Sequence, residues 1–305
     1  MKKRIEILFI AVFAVLASQA QLTHSIYLSA AGDFAMLVDN GHFTTPKAGG
    51  GGAFGLGYEL KHGHLLFNAG VEGGFSHMRS KVNDFTRVYD AVDTEGDPFK
   101  WNHYFYERLD EAEFANVSIP LMLGGIYDYV YFMFGPKLTV TAWGRSREKS
   151  LTDATGKYEG LIGGEFEKMG NHSLYNGRKL SDSWKPYSVG LNLRLAGEVG
   201  IPLNTYLAND PGDDILSRAG IDMRIGVFFE AGVLNLRGKA VDGDFVKYTN
   251  VDHEPGVDFT ENYVFRASET ANTYVTDILT GVRLTVSFRI PEEKICVICG
   301  DYYNY

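Results

Sequence analysis

The sequence predicts an all-β protein that crosses a membrane as an up-and-down antiparallel β-barrel. Three segments far apart in the chain, residues 187–201, 219–233 and 274–290, alternate between apolar residues and small, polar or charged ones. Successive side chains of a strand point to opposite faces, so each segment has one apolar face and one polar face. These segments are longer than most strands of globular proteins, which favours tilted membrane strands whose ends project from the bilayer.

The first twenty residues have the features of a signal peptide. Basic residues at 2–4 precede an apolar run at 7–17, and residues 18–20 supply the small side chains that signal peptidase requires before Gln21. The apolar run is too short to span a bilayer, which argues against a membrane anchor. The sequence therefore predicts three parts: a signal peptide at 1–20, an outer-membrane β-barrel at 21–290 and a periplasmic tail at 291–305.

Five further segments complete a predicted set of eight strands. They lie at about residues 26–38, 47–60, 64–81, 103–126 and 129–145. Connections after the first, third, fifth and seventh strands are long, at residues 39–48, 83–102, 146–184 and 235–272. The connections after the second and fourth strands are tight turns, and the connection after the sixth strand, residues 203–217, is longer. This alternation is typical of bacterial outer-membrane barrels with periplasmic termini and external loops. Ten strands are the alternative, if 146–184 or 235–272 holds a further hairpin.

Ten charged residues fall on the predicted inner face of the barrel. An eight-stranded barrel is just wide enough for side chains to fill it, and charges inside must pair or take up water. Mixed signs favour a network of ion pairs over a selectivity ring, in which one sign would dominate. The predicted interior set is Asp33, Glu72, Lys137, Arg194, Glu198, Asp222, Arg224, Glu230, Asp277 and Arg283.

The sequence favours neither an enzyme nor a cofactor-binding protein. None of the eight histidines is followed two residues later by Ser, and the chain has no Gly-x-Ser-x-Gly and no His-Glu-x-x-His motif. His103, Glu107, Asp110 and Glu111 would be the acid–histidine set of an omptin-like protease, which would need ten strands. Asp242-Gly243-Asp244 is only a fragment of a calcium loop, so no metal is expected there.

The predicted tail contains the only two cysteines of the chain, Cys296 and Cys299. A local disulfide is the interpretation that an oxidising periplasm favours, with free thiols or a metal shared with a partner as alternatives. Two thiolates supply only half of a zinc site.

A segment in the fourth predicted strand, Asn-Val-Ser-Ile-Pro-Leu-Met-Leu-Gly-Gly at residues 116–125, resembles a strand of the PorT-like outer-membrane β-barrel proteins of the Bacteroidetes. Residues 131–143, with Gly135-Pro136, are similar to the next strand of that group, and Gln21 after the cleavage site is typical of it. The resemblance spans about residues 21–290 and implies a small barrel of the OmpA and OmpX kind. Some of these relatives serve the type IX secretion system, but the motif marks a strand and carries no chemistry.

Charge and topology set the functional expectations. The formal net charge of −9 argues against nucleic acid as a partner. The expected partners are outer-membrane lipid and other envelope proteins, reached through the external loops or the tail. We expect a structural, assembly or surface-interaction role in the outer membrane of a Gram-negative bacterium. A narrow small-solute channel is the first alternative, and an outer-membrane lipid-modifying enzyme is the second.

Overall fold

The structure is a computed structural model of the chain. It describes residues 22–39, 44–93, 95–158, 167–168, 178–180, 184–186, 190–207, 215–234, 246–251, 254–259, 274–291, 294–295 and 302–303. The predicted signal peptide, the acidic motif at residues 242–244 and both cysteines lie outside the described residues.

Sixteen strands and two short helices make up the described part of the chain. The strands are β1 (Leu22–Asp39), β2 (Thr44–His62), β3 (Leu65–Val82), β4 (Phe85–Val92), β5 (Pro98–Ile126), β6 (Tyr131–Tyr158), β7 (Glu167–Lys168), β8 (Arg178–Leu180), β9 (Lys185–Pro186), β10 (Leu191–Pro202), β11 (Ile221–Gly232), β12 (Val246–Val251), β13 (Glu254–Phe259), β14 (Val275–Arg289), β15 (Lys294–Ile295) and β16 (Tyr302–Tyr303). The helices are α1 (Leu203–Leu207) and α2 (Ile215–Arg218). Neither helix is long and apolar enough to cross a membrane.

Eight strands close into a ring, as the sequence predicts. β1, β2, β3, β5, β6, β10, β11 and β14 pair in this order, all antiparallel, and β14 pairs back to β1. Residues 246–259 do contain a further hairpin, but its strands β12 and β13 pair with each other and stay outside the ring. The barrel therefore has eight strands and not ten, because the extra hairpin adds no wall strand.

The strands present an apolar outer surface, which makes the ring a transmembrane β-barrel. Large apolar side chains alternate with inward polar ones along every wall strand. The outward set includes Ile26, Leu28, Phe34, Phe54, Leu56, Val71, Phe75, Val117, Ile119, Leu121, Phe132, Phe134, Leu195, Val199, Val227, Phe229, Val282 and Leu284. In water such a surface would drive aggregation, whereas in a bilayer it replaces lipid–lipid contact.

Tight turns join two of the hairpins at one end of the barrel. Gly63 and His64 connect β2 to β3, and Gly63 has a φ of +57°, which only glycine adopts without strain. Residues 127–130 connect β5 to β6, and the amide of Tyr127 donates to the carbonyl of Val130 at 2.8 Å. The start of β1 and the end of β14 pair at this same end. We call it the short-turn end.

At the other end, β5 and β6 run far beyond the neighbouring strands. They contain 29 and 28 residues, and residues 98–113 and 144–158 lie beyond the last outward aromatic residues of the wall. We call these two segments, together with β4 and the β12–β13 hairpin, the crown. At 3.3 Å per residue and a tilt near 40°, the crown rises roughly 40 Å above the wall.

Two β-bulges change which residues face inward where the barrel becomes the crown. The pairing of β5 with β6 shifts register between Tyr106 and Leu109, and Glu107 has a φ of +51°. A second shift leaves Ala142 without a partner on β5. Odd-numbered residues of β5 face inward before the first bulge and even-numbered ones after it. A bulge adds one residue to one strand, so the alternation changes phase there.

Three of the predicted long loops consequently contain strands. Residues 83–102 form β4 and the beginning of β5, joined by a tip at 93–97. Residues 146–184 include the end of β6 and the short strands β7 and β8, and residues 235–272 include β12 and β13. The prediction of a loop at residues 83–102 was wrong, because these residues form strands whose alternation is out of phase with that of the wall.

Candidate functional site

The middle of the barrel interior is occupied by interlocked ion pairs. The ammonium of Lys137 on β6 lies 2.5 Å from Glu72 Oε2 on β3 and 2.8 Å from Glu230 Oε1 on β11. All three side chains are almost completely buried. Because strand alternation directs them to the same axis from different parts of the wall, one cation neutralises two carboxylates that would otherwise repel each other.

Arg283 on β14 connects this group to a third acid. Its guanidinium lies 2.9 Å from Glu198, 3.3 Å from Glu230 and 3.4 Å from Glu72. The same guanidinium stands over the ring of Phe228, 4.8 Å from the ring centroid. A planar fork with five N–H donors can serve several carboxylates at once, which a lysine cannot do with the same geometry.

Arg194 and Arg224 bind the acids on either side. Arg194 contacts Asp277 at 2.5 Å, and Asn192 donates to the other oxygen of Asp277 at 2.9 Å. Nearer the short-turn end, Arg224 pairs with Glu59. The hydrogen bond from the Asn192 amide lowers the cost of burying the Asp277 carboxylate.

Eight of the ten predicted interior residues take part in these contacts, and two do not. Asp33 lines the same space, but its buried Oδ1 has no hydrogen-bond partner among the described residues. Asp222 lies near the short-turn end and is 3.4 Å from the Asn204 amide of α1, away from the network. Glu59 was missed, although alternation with the outward Tyr58 and Leu60 of β2 already directed it inward.

Tyrosines and glycines complete the packing of the wall next to the network. The hydroxyl of Tyr131 donates to Glu198 at 2.5 Å, and its ring lies against Gly200 and Gly226. A Cβ at Gly226 would come within 2.3 Å of the Tyr131 oxygen, so a larger residue there would displace the ring. Glycine at these positions makes the room that a small barrel needs for an inward tyrosine.

Little space remains in the barrel interior between these side chains. Two cavities of about 20 Å³ each lie along the network, and both have Glu72 and Arg283 in their walls. Each has room for about one water molecule. Apolar layers lie on either side of the network: a small one near the short-turn end around Leu66 and Met122, and a larger one towards the crown.

The larger apolar layer continues into the crown as an aromatic core. Trp101 of β5 is 1% exposed and packs against His103, with 4.0 Å between ring centroids. Tyr248 from the β12 strand packs on Trp101 and on Tyr89 of β4. The β12–β13 hairpin is thus attached to β4 and β5 by contacts between aromatic rings. The remaining members of this core are mainly apolar: Phe85, Ala91, Phe99, Phe105, Ala112, Phe114, Ala154 and Tyr158.

The acidic tip of the crown uses one carboxylate to shape its turn. Asp93, Glu95 and Asp97 place carboxylate oxygens within 4.8 Å of one another, the spacing of a cation site. However, Asp93 already accepts hydrogen bonds from the amides of Glu95 and Asp97 and from the Tyr158 hydroxyl. Burial, followed by the Asp93 hydrogen bond, raises the pKa of Tyr158, so this donor stays protonated.

The candidate protease residues do not converge. His103 points into the aromatic core, where its Nδ1 lies 3.2 Å from the Thr152 hydroxyl. Asp110 is buried in an ion pair with Arg108 at 2.9 Å. Glu111 lies on the opposite, outer face of β5 and contacts Arg147 at 2.5 Å. The bulge at Glu107 leaves His103 and Asp110 on the inner face and Glu111 on the outer face, so the set has no common face.

Comparison with known proteins adds a likeness of fold at low similarity. No known protein family matches the sequence, and no curated protein matches it. Ail, the attachment invasion locus protein of Yersinia pestis, is 12% identical with a TM-score of 0.25, and the match covers 88% of this chain and 98% of Ail. Neisserial surface protein A is 13% identical with a TM-score of 0.25, over 86% of this chain and 97% of that protein. No conclusion about function rests on either likeness.

Proposed function

We propose that this chain is an integral outer-membrane β-barrel protein that acts through its crown, in a structural, assembly or surface-interaction role, without catalysing a reaction. The closed ring with an apolar exterior supports the membrane location, since only helices and closed barrels satisfy their backbone groups in lipid. The signal-peptide pattern and the PorT-like segment at residues 116–125 support export to an outer membrane.

One observation carries this proposal: the interior is filled while the strands continue outside. The network around Lys137 and Arg283 and the apolar layer next to it occupy the path that a solute would take. β5 and β6 meanwhile devote about half of their length to the crown. A protein that works by contact needs a rigid surface beyond the lipid, and binding residues concentrate where a stable scaffold presents them.

The orientation belongs to the same proposal. Bacterial barrels keep short turns in the periplasm and long extensions outside, so we place the short-turn end and both termini in the periplasm and the crown at the cell surface. Other envelope proteins would then meet the crown from outside, or the tail at residues 291–305 from within.

Conductance tests the filled interior. We expect the purified protein to give no steady conductance in a planar bilayer at neutral pH, because the ion pairs leave room only for isolated waters. Flotation of the same preparation with liposomes is the control that the protein has inserted. Steady, reproducible conductance would contradict the proposal and support a narrow channel, and release of acyl chains from lipid A or phospholipid in these liposomes would support a lipid-modifying enzyme.

Protease accessibility tests the orientation. With protease added to intact cells, we expect cleavage within residues 146–184 or 235–272 and an intact tail at 291–305, because only the crown end would face outside. An epitope tag after Tyr305 reports the tail on a blot, and cells permeabilised before treatment show that it can be cut. Loss of the tag from intact cells, with the crown uncut, would invert the topology.

A further inference from the structure

Basic side chains are concentrated on one side of the barrel, at the level where the wall becomes the crown. Six of them point outward from three strands, with β5 lying between the second and the third: Lys47 of β2, Arg79 and Lys81 of β3, and Arg145, Arg147 and Lys149 of β6. We call this set the basic face. The other four wall strands contribute nothing comparable. β1 has no Lys or Arg. In β10, β11 and β14 the arginines Arg194, Arg224 and Arg283 point inward, and Arg289 of β14 lies at the short-turn end.

Strand register arranges the basic face in rows directly above the apolar band. Phe75 and Trp143, both about half exposed, lie opposite Ala115 in the last apolar row. Three rows follow toward the crown. The first contains His77, Glu113 and Arg145, and the second contains Lys47, Arg79, Glu111 and Arg147. The third contains Lys81, Leu109 and Lys149. With neighbouring strands about 4.8 Å apart, the face is about 14 Å wide. Aromatic residues followed by cations mark the boundary between lipid chains and headgroups.

The carboxylates within the face neutralise only part of its charge. Glu113 contacts Arg145 at 2.5 Å, and Glu111 contacts both Arg147 at 2.5 Å and Lys149 at 3.1 Å. Burial opposes ionisation of Glu111, but these two cations outweigh it and lower its pKa. Two carboxylates therefore face six cations. Toward the tip the charges are mixed, because the acids Asp84, Glu107 and Asp153 lie there together with the cations Arg87, Lys100 and Lys157.

Two of the arginines are held in position before any ligand arrives. Arg79 uses two donors on the carbonyl of Ala48, at 2.6 and 3.1 Å, which fixes its exposed guanidinium across β2. Arg145 lies against the rings of both Trp143 and Trp184, 5.4 and 4.4 Å from their centroids. Guanidinium groups ordered in this way lose little side-chain entropy when they bind an anion.

We propose that the basic face binds the phosphate groups of glycolipids in the outer leaflet. The acyl chains of such a lipid would lie on the apolar band below Phe75 and Trp143, and its phosphates would meet the cations one to three rows higher. Charge complementarity and continuity with the lipid-facing surface favour this occupant over a soluble one. The inference rests on the proposed outer-membrane orientation, which puts this level in the outer leaflet.

The test compares lipid A with dephosphorylated lipid A, as fluorescent derivatives, for binding to the refolded full chain in detergent micelles. K47Q/R79Q/K81Q removes three cations of the face, and K61Q/R218Q/R289Q removes three from the short-turn end as the matched control. We expect at least tenfold weaker binding of lipid A to the first variant and less than a twofold change for the control. Dephosphorylated lipid A should bind all three proteins equally weakly. Circular dichroism and heat-shifted migration in gels verify that each variant is folded.

Three results would overturn the proposal. The first is equal binding of the two lipids, and the second is an equal loss of lipid A binding in both variants. The third is that a sulfated oligosaccharide displaces the fluorescent lipid A at a lower concentration than unlabelled lipid A does. The last would assign the face to a soluble polyanion. Because the assay is done in detergent, its outcome does not depend on orientation in cells. An inverted topology in the protease experiment would refute the orientation alone.

Discussion

Replacement of Arg283 by Met is expected to lower the free energy of unfolding by about 3–5 kcal/mol, the usual cost of breaking a buried ion pair by removing one partner. Arg283 lies within 3.4 Å of Glu72, Glu198 and Glu230. Met fills a similar volume without a donor, so Glu72 and Glu230 would keep Lys137 and Arg194, while Glu198 would lose its ion pair and keep the hydrogen bond from Tyr131. Urea unfolding in lipid vesicles, followed by tryptophan fluorescence, measures the change.

Two companion variants make the Arg283 result specific. Arg289 lies on the same strand as Arg283 but is exposed at the short-turn end. Arg289→Met should therefore change the free energy of unfolding by less than about 0.5 kcal/mol. Adding Glu198→Gln to Arg283→Met removes one of the stranded charges, so the double variant should be more stable than the single one. If Arg283→Met and Arg289→Met had the same small effect, the interior would have to be hydrated and not a desolvated network.

Arginine at position 119 tests the other face of the wall. Ile119 is 46% exposed and lies in one row with Leu138 and Leu193, about midway along the apolar band. Ile119→Arg is expected to cost about 2–4 kcal/mol, because a cation at the bilayer midplane loses its hydration. Folding yield and unfolding free energy in vesicles report the cost.

Thr86→Arg is the matched control for Ile119→Arg. Thr86 is exposed on β4 in the crown, where water is available, and Arg should be accepted there with less than about 0.5 kcal/mol of change. Equal tolerance of Arg at 119 and 86 would mean that the band around Ile119 does not contact lipid.

The barrel wall could be predicted from sequence because its physical signal is periodic. One apolar residue in two, over segments such as 187–201, is required wherever one face meets lipid and the other meets ion pairs. The same alternation placed Lys137 and Arg283 inside, and it could have placed Glu59 there. Which acid contacts which cation depends on strand order and register, and neither is encoded in the alternation of a single strand.

The crown was missed because its signal changes phase. Phe99, Trp101, His103 and Phe105 alternate as regularly as the wall, but they are out of step with residues 110–118 on the other side of the bulge at Glu107. The predicted fourth strand, which began at residue 103, therefore left out Phe99 and Trp101, although both belong to β5. Asp222 shows the opposite error: it is in phase with Arg224, yet it lies at the strand end beside Asn204, where the interior opens.

The unbroken course of β5 and β6 also determines how the molecule would carry a mechanical load. A pull on the tip of the crown acts along these strands, whereas their hydrogen bonds run across them. Many bonds of the ladder must then yield together in shear, and they cannot open one after another as in unzipping. Tension on the tip would therefore pass along β5 and β6 into the wall and its neighbouring strands β3 and β10.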